Sequence, residues 1–416
     1  MAGQNLSNID KALKEFYLPR LQSTINEKRI LMQRLERDAG KTDVSGRAAV
    51  VPINIRPSEA VGARADSQAD DNIQLPTAQF QRYIEARIGY KFNYGTIRMT
   101  HPSIVAAKSD KGSFVRVVGS EMDGIRRDAK NDYNRQLFGY GKGDLGTVAS
   151  TASSGATSIT MDPGHRVKAN MVLDSHATAA SSTIVMNSTT VTAVSGNTLT
   201  VATVGGADVL ANSILVRENT YDNEVMGLRG IVDDASKTSG IGEFTTSLHG
   251  VARGTYPEWN AQVSEHSTPG TSREISGDLI DQVLLDIQSN AEGEPSLGIT
   301  SPTQFRKIGG LLTGDRRYGV EMTLEGGFTG VNWAGVPIVW DRDCPTDANG
   351  NHMLFLLTES SLKIYQLADW DFDDTDGAIL HRRSGYAQYD ATLFHYSQLG
   401  CLDPAENGVI RDLDAS

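Results

Sequence analysis

Asp369, Asp371, Asp373, Asp374 and Asp376 form the densest run of carboxylates in the chain. Oxygens at that spacing could hold a calcium ion, with Asp371, Asp373 and Asp376 as the metal candidates. Position 374 is Asp where an EF-hand loop requires Gly, and no Glu closes the loop. The competing reading is an acidic surface loop held down by Trp370 and Phe372. A hydrolase built on paired carboxylates needs two acids facing each other across a cleft, which a single run does not supply. Gly141-Lys142-Gly143-Asp144-Leu145-Gly146 matches GxGxxG, but a helical pattern precedes it and none follows. A dinucleotide fingerprint needs a strand before it and a helix N-terminus after it, facing the pyrophosphate. We read the run as a hinge loop. Gly40-Lys41-Thr42 ends like a P-loop, yet Leu35 stands where the first Gly must be. The eight histidines are scattered, with no HExxH and no GxSxG. Cys344, followed by Pro345, reads as a buried, inert thiol. No catalytic residue and no cofactor is expected.

The elements that would carry any function are therefore structural. The chain has 416 residues, long enough for two or three folded units. Hydrophobic content of 39% and charged content of 22% are those of a globular protein. A net charge of −12 disfavours sequence reading of nucleic acid, which needs clustered Lys and Arg. Two cysteines are too few for a disulfide framework or a zinc site and suit a reducing compartment. The start, MAGQNLSNID, has no apolar signal core, and no apolar run approaches a membrane span. Synthesis and first action in a cytoplasm follow as expectations. Residues 1–42 carry eight Lys and Arg against five Asp and Glu, whereas residues 369–416 carry three against ten. Ends of opposite sign could attract between neighbouring copies, or both could simply be solvated.

The chain is organised around 110–138. Phe114, Val118, Met122, Ile125, Ala129, Tyr133 and Leu137 recur at helical spacing, with Ser109 or Asp110 able to cap the start and Gly139 to stop it. Such a rod is roughly 43 Å long and needs a sheet, an arm or a neighbouring subunit to cover its stripe. Gly119 and Gly124 inside it mark either tolerance or a planned bend or close backbone contact. Before it, residues 7–38 read as two amphipathic helices broken at Pro19. Val50–Ile55 and Phe80–Thr100 read as two extended arms of a long hairpin around a polar tip, Arg56–Asn72. Exposed edges make such a hairpin a liability alone and a reach to a neighbour in an assembly.

After the rod, residues 147–217 turn rich in Ser, Thr, Ala and Val. Ser158–Met161, Ala169–Leu173, Thr183–Met186, Val191–Val194 and Thr198–Val204 read as strands, the last two a hairpin around Ser195-Gly196-Asn197. This predicts a small all-β insertion of about five to seven strands. Residues 218–368 read as α+β on a mostly antiparallel sheet. Ser276 caps a helix burying Ile280, Val283, Leu284 and Ile287. Ser301-Pro302-Thr303-Gln304 is a capping box. Gly335–Asp341 and Met353–Thr358 are strands joined across Asn349-Gly350. Strands around Ile379–Arg382 and Ala391–Gln398 end the pattern.

Gly335-Val336-Pro337-Ile338-Val339-Trp340-Asp341-Arg342-Asp343-Cys344-Pro345 is followed by Leu354–Thr358, Leu362-Lys363-Ile364-Tyr365, Asp369-Trp370, Gly377-Ala378-Ile379-Leu380, Gly400-Cys401, Pro404 and Asn407-Gly408. This succession resembles the major capsid proteins of tailed bacteriophages, of the HK97 type. Asn223–Val232 resembles the segment leading into their axial domain, and Phe16-Tyr17-Leu18-Pro19 resembles their N-arm. The resemblance is most specific from Gly335 onward and weakest in the insertion. It implies an α+β HK97-like capsid fold. Its parts would be an N-arm (1–43), an extended loop with flanking strands, the E-loop (44–100), and a peripheral domain with a long spine helix (101–146). An all-β insertion (147–217), an axial domain (218–368) and C-terminal strands returning to the peripheral domain (369–416) would follow.

The resemblance implies copies of the chain as the main partner, in hexamers and pentamers tiling an icosahedral shell around double-stranded DNA that is not bound specifically. Candidate inter-subunit residues are Phe16, Leu21, Ile25, Arg56, Arg64, Asp70, Asp71, Arg126 and Arg127. The chain starts almost directly with the arm, so a separate scaffolding protein is expected, with a portal and a possible cement protein. Arg56–Asn72 contains no Lys, which argues against a lysine cross-link at the tip. Alternatives are an encapsulin-like, host-encoded shell of the same fold, a carbohydrate-binding adhesin built on 147–217, or an enzyme using Asp369–Asp376.

Overall fold

The computed structural model describes residues 29–36, 41–43, 46–56, 58–63, 76–102, 111–178, 181–235, 246–268, 271–315, 321–324, 328–346, 350–374 and 377–414. The leading segment enters as a short helix, α1 (Ile30–Arg34), with Ile30, Leu31 and Met32 buried. Phe16, Leu21, Ile25 and the break at Pro19 lie outside the described residues. The predicted rod is one helix, α2 (Lys111–Phe138), whose proposed caps Ser109 and Asp110 also lie outside. Met122, Ile125 and Ala129 pack on a sheet, and Tyr133, Leu137 and Phe138 enter the largest core. A Cβ at Gly119 or Gly124 would meet open space, so neither marks a backbone contact among the described residues. The close approach lies on the sheet instead: a Cβ on Gly95 would come within 3.1 Å of Ile125.

That sheet has five strands: β1 (Lys41–Asp43), β4 (Lys91–Thr100), β19 (Leu362–Phe372), β20 (His381–Arg382) and β21 (Gln388–Cys401). β21 pairs antiparallel with β4 along one edge and with β19 and β20 along the other. β2 (Ala48–Arg56) pairs antiparallel with β3 (Arg82–Gly89), forming the hairpin. Phe80–Thr100 is thus not one arm, as the sequence suggested. It breaks at buried Tyr90, and β4 leaves the hairpin because Gly95, Ile97 and Met99 have α2 to pack against.

Six strands form a separate sheet with its own core: β5 (Asp144–Thr147), β6 (Ser158–Thr160), β7 (Val172–His176), β8 (Ile184–Ser195), β9 (Thr198–Val201) and β10 (Ile214–Arg217), in the order β5-β10-β7-β8-β9-β6. The segments expected as Thr183–Met186 and Val191–Val194 are one strand, β8. It pairs with β7 and then, past a bulge, with β9. The strand expected at Ala169–Leu173 lies later, as β7. The glycine-rich loop ends in β5, so its GxGxxG letters run from a helix into a strand.

A helix α3 (Leu228–Ile231) and a small hairpin, β11 (Ser247–Leu248) with β12 (Val251–Ala252), lead into the third sheet. Its strands are β13 (Gln262–Ser264), β14 (Leu297–Thr300), β15 (Glu321–Leu324), β16 (Phe328–Trp333), β17 (Val336–Trp340), β18 (His352–Leu357) and β22 (Gly408–Leu413), in the order β13-β22-β18-β14-β17-β16-β15. Helices α4 (Gly277–Ala291) and α5 (Pro302–Asp315) accompany it. Ser276 accepts the Leu279 N–H at 3.3 Å, and Ile280, Val283, Leu284 and Ile287 are buried, as their spacing predicts. Ser301 accepts the Gln304 N–H at 3.4 Å, but the Gln304 amide donates to the Asp414 carbonyl. Only half of the capping box forms.

β17 and β18 flank β14 rather than pairing with each other. The C-terminal residues also differ from expectation. β19 begins at Leu362, before the expected 369 boundary, and β22 joins the third sheet, not the sheet on α2. Gly408–Leu413 is buried at every position, and a strand buried on both faces belongs inside a sheet. The acidic run is likewise no loop at its start. Asp369 and Asp371 sit on β19, exposed, alternating with inward Trp370 and Phe372. Among the described residues no helix is long and apolar enough to cross a membrane.

Candidate assembly surface

Among the described residues, two surfaces group exposed apolar side chains. The first is the hairpin. Ala86 and Ile88 bury its base, while Val50 and Tyr83 are 50% and 62% exposed. Beyond the strands, Val61 and Phe80 are 87% and 90% exposed. Arg56 closes β2 opposite Arg82. Arg64, Asp70 and Asp71 lie outside the described residues.

The second is the face of the five-stranded sheet turned away from α2. Alternation along β4 and β21 sends Gly95, Ile97, Ala391 and Leu393 toward the helix and Phe92, Tyr94, Phe394 and Tyr396 to the opposite face. Tyr396 lies opposite Phe92, and Phe394 opposite Tyr94. The Tyr396 ring stands edge-on to Phe92 at 5.0 Å and to Tyr94 at 5.7 Å, and lies 5.4 Å from Phe394. A hydrogen bond with Tyr94, helped by partial burial, pushes the Tyr396 hydroxyl up to about 12. Arg98 and Asp390 close the stripe with a 2.8 Å ion pair. This stripe is absent from the sequence expectations. The period-two pairs Phe92/Tyr94 and Phe394/Tyr396 were its signal, masked because the strands' other faces are also apolar.

Of the helix candidates, Arg126 is exposed with its guanidinium 5.5 Å from the Phe372 ring centre, and half-buried Arg127 lies 3.6 Å from Asp128. The end of α2 is tied down instead. Asp132 binds Arg135 at 3.0 Å and Arg217 of β10 at 2.9 Å, and Arg135 also pairs with Glu224. Burial would raise the Asp132 carboxyl, but the two guanidiniums outweigh it and hold it well below the usual range. For Glu224, burial wins and the carboxyl is raised.

Further buried polar contacts fix the hairpin base and the leading segment. The His249 carbonyl accepts the Arg87 N–H at 2.7 Å, and its imidazole Nε2 accepts the Cys401 N–H at 3.3 Å. Burial, with Arg253 nearby, pushes that imidazole down to about 4. Arg253, fully buried, donates to the Gly230 and Ile231 carbonyls at 2.8 Å and to that of Asp233, closing the end of α3. Arg34 of α1 grips Glu359 through two hydrogen bonds, 3.1 and 2.9 Å.

For the metal candidates, Asp371 lies on β19, Asp373 follows its end, and Asp376 is outside the described residues. Among the described residues no three His, Cys, Asp or Glu side chains group to hold a metal. Cys344 is buried, and burial pushes its thiol up, away from the reactive thiolate.

No protein-family model matches the chain. No curated protein matches it. Solved structures do. A chain of the cyanophage A-1(L) capsid asymmetric unit superposes with a TM-score of 0.59 at 12% identity, over 97% of this chain and 98% of that one. The holo-SrpI encapsulin complex from Synechococcus elongatus gives 0.51 at 12% identity, over 100% and 98%. The capsid of a native GTA particle gives 0.51 at 8% identity, over 99% and 100%. The chain shares the fold of these capsid and encapsulin chains, an α+β fold of the HK97 type.

Proposed function

We propose that the protein is a major capsid protein whose copies assemble into the head shell of a tailed phage. The observation that supports this most is the end-to-end likeness in fold to a phage capsid chain, covering nearly all of both. In this reading residues 1–43 are the N-arm, 44–100 the extended loop, 101–146 the peripheral segment with α2, 147–217 an inserted β domain, 218–368 the axial domain and 369–416 the returning strands, with β22 lent to the axial sheet. The hairpin and the aromatic stripe are the inter-subunit surfaces, along with the candidate residues Phe16, Leu21, Ile25, Arg56, Arg64, Asp70, Asp71, Arg126 and Arg127. Many weak contacts, summed over a closed shell, give the assembly its strength. The role is structural, not catalytic. The acidic chain suits a container that does not grip its double-stranded DNA by sequence. A separate scaffolding protein, a portal and a cement protein are the further partners, with assembly in the bacterial host cytoplasm.

Purified protein should form large particles, or capsomers that close when scaffold is supplied, as seen by light scattering and electron microscopy. Deleting residues 57–71 should leave a folded subunit that no longer closes shells. Normal shells from that variant, or a strict monomer at every salt concentration for the intact chain, would refute the reading. The encapsulin superposition supports a second reading, a host-encoded shell. A cargo enzyme with a docking tail co-purifying with the particle would favour it. Neighbouring terminase and portal genes would favour the first.

A further inference from the structure

At the corner Asp341–Asp343 that follows β17 both carboxylates are buried, and the corner joins three distant parts of the chain. Asp341 is 1% exposed, and its Oδ2 accepts the backbone N–H groups of Ile30 and Leu31, each at 3.2 Å. Its Oδ1 accepts the Asp343 N–H at 2.9 Å. Asn134 of α2, wholly buried, donates to Asp343 Oδ2 at 2.9 Å and accepts the Met32 N–H at 3.1 Å. From the six-stranded sheet's unit, Arg166 donates to Asp343 Oδ1 at 3.2 Å and to the carbonyls of Arg342 and Cys344 at 3.1 and 3.3 Å. The first three N–H groups of α1 therefore all end on this corner or on the asparagine it orients.

We propose that this corner is a latch that couples the β insertion to the leading segment: a load or shift on the insertion, carried by Arg166, changes how tightly residues 30–32 are held. The coupling follows from hydrogen-bond capacity. A carboxylate accepts at both ends, and Asp341 uses both. Asn134 can serve Met32 and Asp343 together only with its oxygen toward the first and its amide toward the second. The Asn134 amide also lies 3.4 Å from both Asp341 oxygens and Arg342 Nε donates to Asp343 Oδ1 at 3.4 Å, so the corner is one closed network. Moving Asp343 disturbs Asn134, and through it Met32, because a buried polar group left without its partner is costly. The coupling lies within one chain and needs no shell, so it is independent of the capsid role.

The test is amide hydrogen exchange, followed by mass spectrometry, on the full-length protein and its variants. In Asp341→Asn the amide side chain cannot accept at both ends, and exchange at residues 30–32 should rise about tenfold or more. In Arg166→Met, which touches none of those residues, the same amides should also speed up about tenfold, within the range of coupling through a packed network. The amides of α4 should keep wild-type rates in both. In the double variant the acceleration should fall short of the product of the two single effects. The latch is overturned if Arg166→Met speeds exchange only within residues 144–217. It is also overturned if the single effects multiply, or if α4 accelerates equally, which would mark a global loss of stability. Should Asp341→Asn fail to fold, Arg166→Met alone decides, since its side chain is only partly buried and lies on the far side of the corner.

Discussion

Replacing Phe92 and Tyr94 together by serine separates folding from assembly. The two rings are 54% and 62% exposed in the single chain, so roughly 100 Å² of each still faces water. Their removal should cost the free subunit only about 1–2 kcal/mol, the worth of their edge contacts with Tyr396, because they stand on the outer face of β4, away from α2. If a second copy covers the stripe, each ring contributes about 2.5 kcal/mol to that contact at ~25 cal/mol per Å². Losing both would weaken one contact by about 5 kcal/mol, more than a thousandfold in affinity, and a closed shell repeats the loss at every equivalent contact. Thermal unfolding of the isolated subunit and light scattering of the assembly reaction read the two effects separately. A large drop in subunit melting temperature would show that the rings hold the fold. Shells forming at the wild-type protein concentration would show that no copy covers them. Either result refutes the reasoning.

Three further outcomes are expected. His249 binds its proton near pH 4 when folded and near 6.5 when unfolded, so the unfolded chain takes up more protons between those values. Its contribution, about 3 kcal/mol, is complete above pH 6.5 and lost as the pH falls toward 4. The stability difference between wild type and His249→Gln, from urea titrations across that window, should shrink by a like amount, and a constant difference would contradict it. Arg253→Met leaves the Gly230, Ile231 and Asp233 carbonyls without their donor and should cost about 3 kcal/mol in urea unfolding, where a loss under about 1 kcal/mol would contradict the capping role. Gly95→Val should cost about 2 kcal/mol by pushing Ile125, and so α2, off the sheet. Adding Ile125→Ala should restore part of that loss, and no recovery in the double variant would place the strain elsewhere.

Where one pattern met one environment, the sequence was easy to read. From Met122 to Leu137 the stripe of α2, and the Ile280/Val283/Leu284/Ile287 face of α4, have helical spacing and are turned to apolar neighbours as that spacing implied. The β8–β9 hairpin carried its own turn residues, with Gly196 at a positive φ of 55°. The errors came where pairing is long-range. Nothing local in Phe80–Thr100 says that its first half pairs with β2 and its second with β21, some 290 residues away. β22 and β21 look alike as apolar runs, yet they end in different sheets, because only the missing places in those sheets distinguish them. The aromatic stripe was hidden in the same way, since an exposed face can be identified only after the helix has claimed the other.

The place of β22 has a consequence for how each molecule is made. Residues 408–413 fill a slot between β13 and β18, strands built from chain synthesised up to about 150 residues earlier. Until the ribosome releases them, the sheet is parted along that line, and Asp412 is not yet in place to receive the His266 N–H. A polypeptide cut short before Gly408 is left with two raw edges facing each other across the gap.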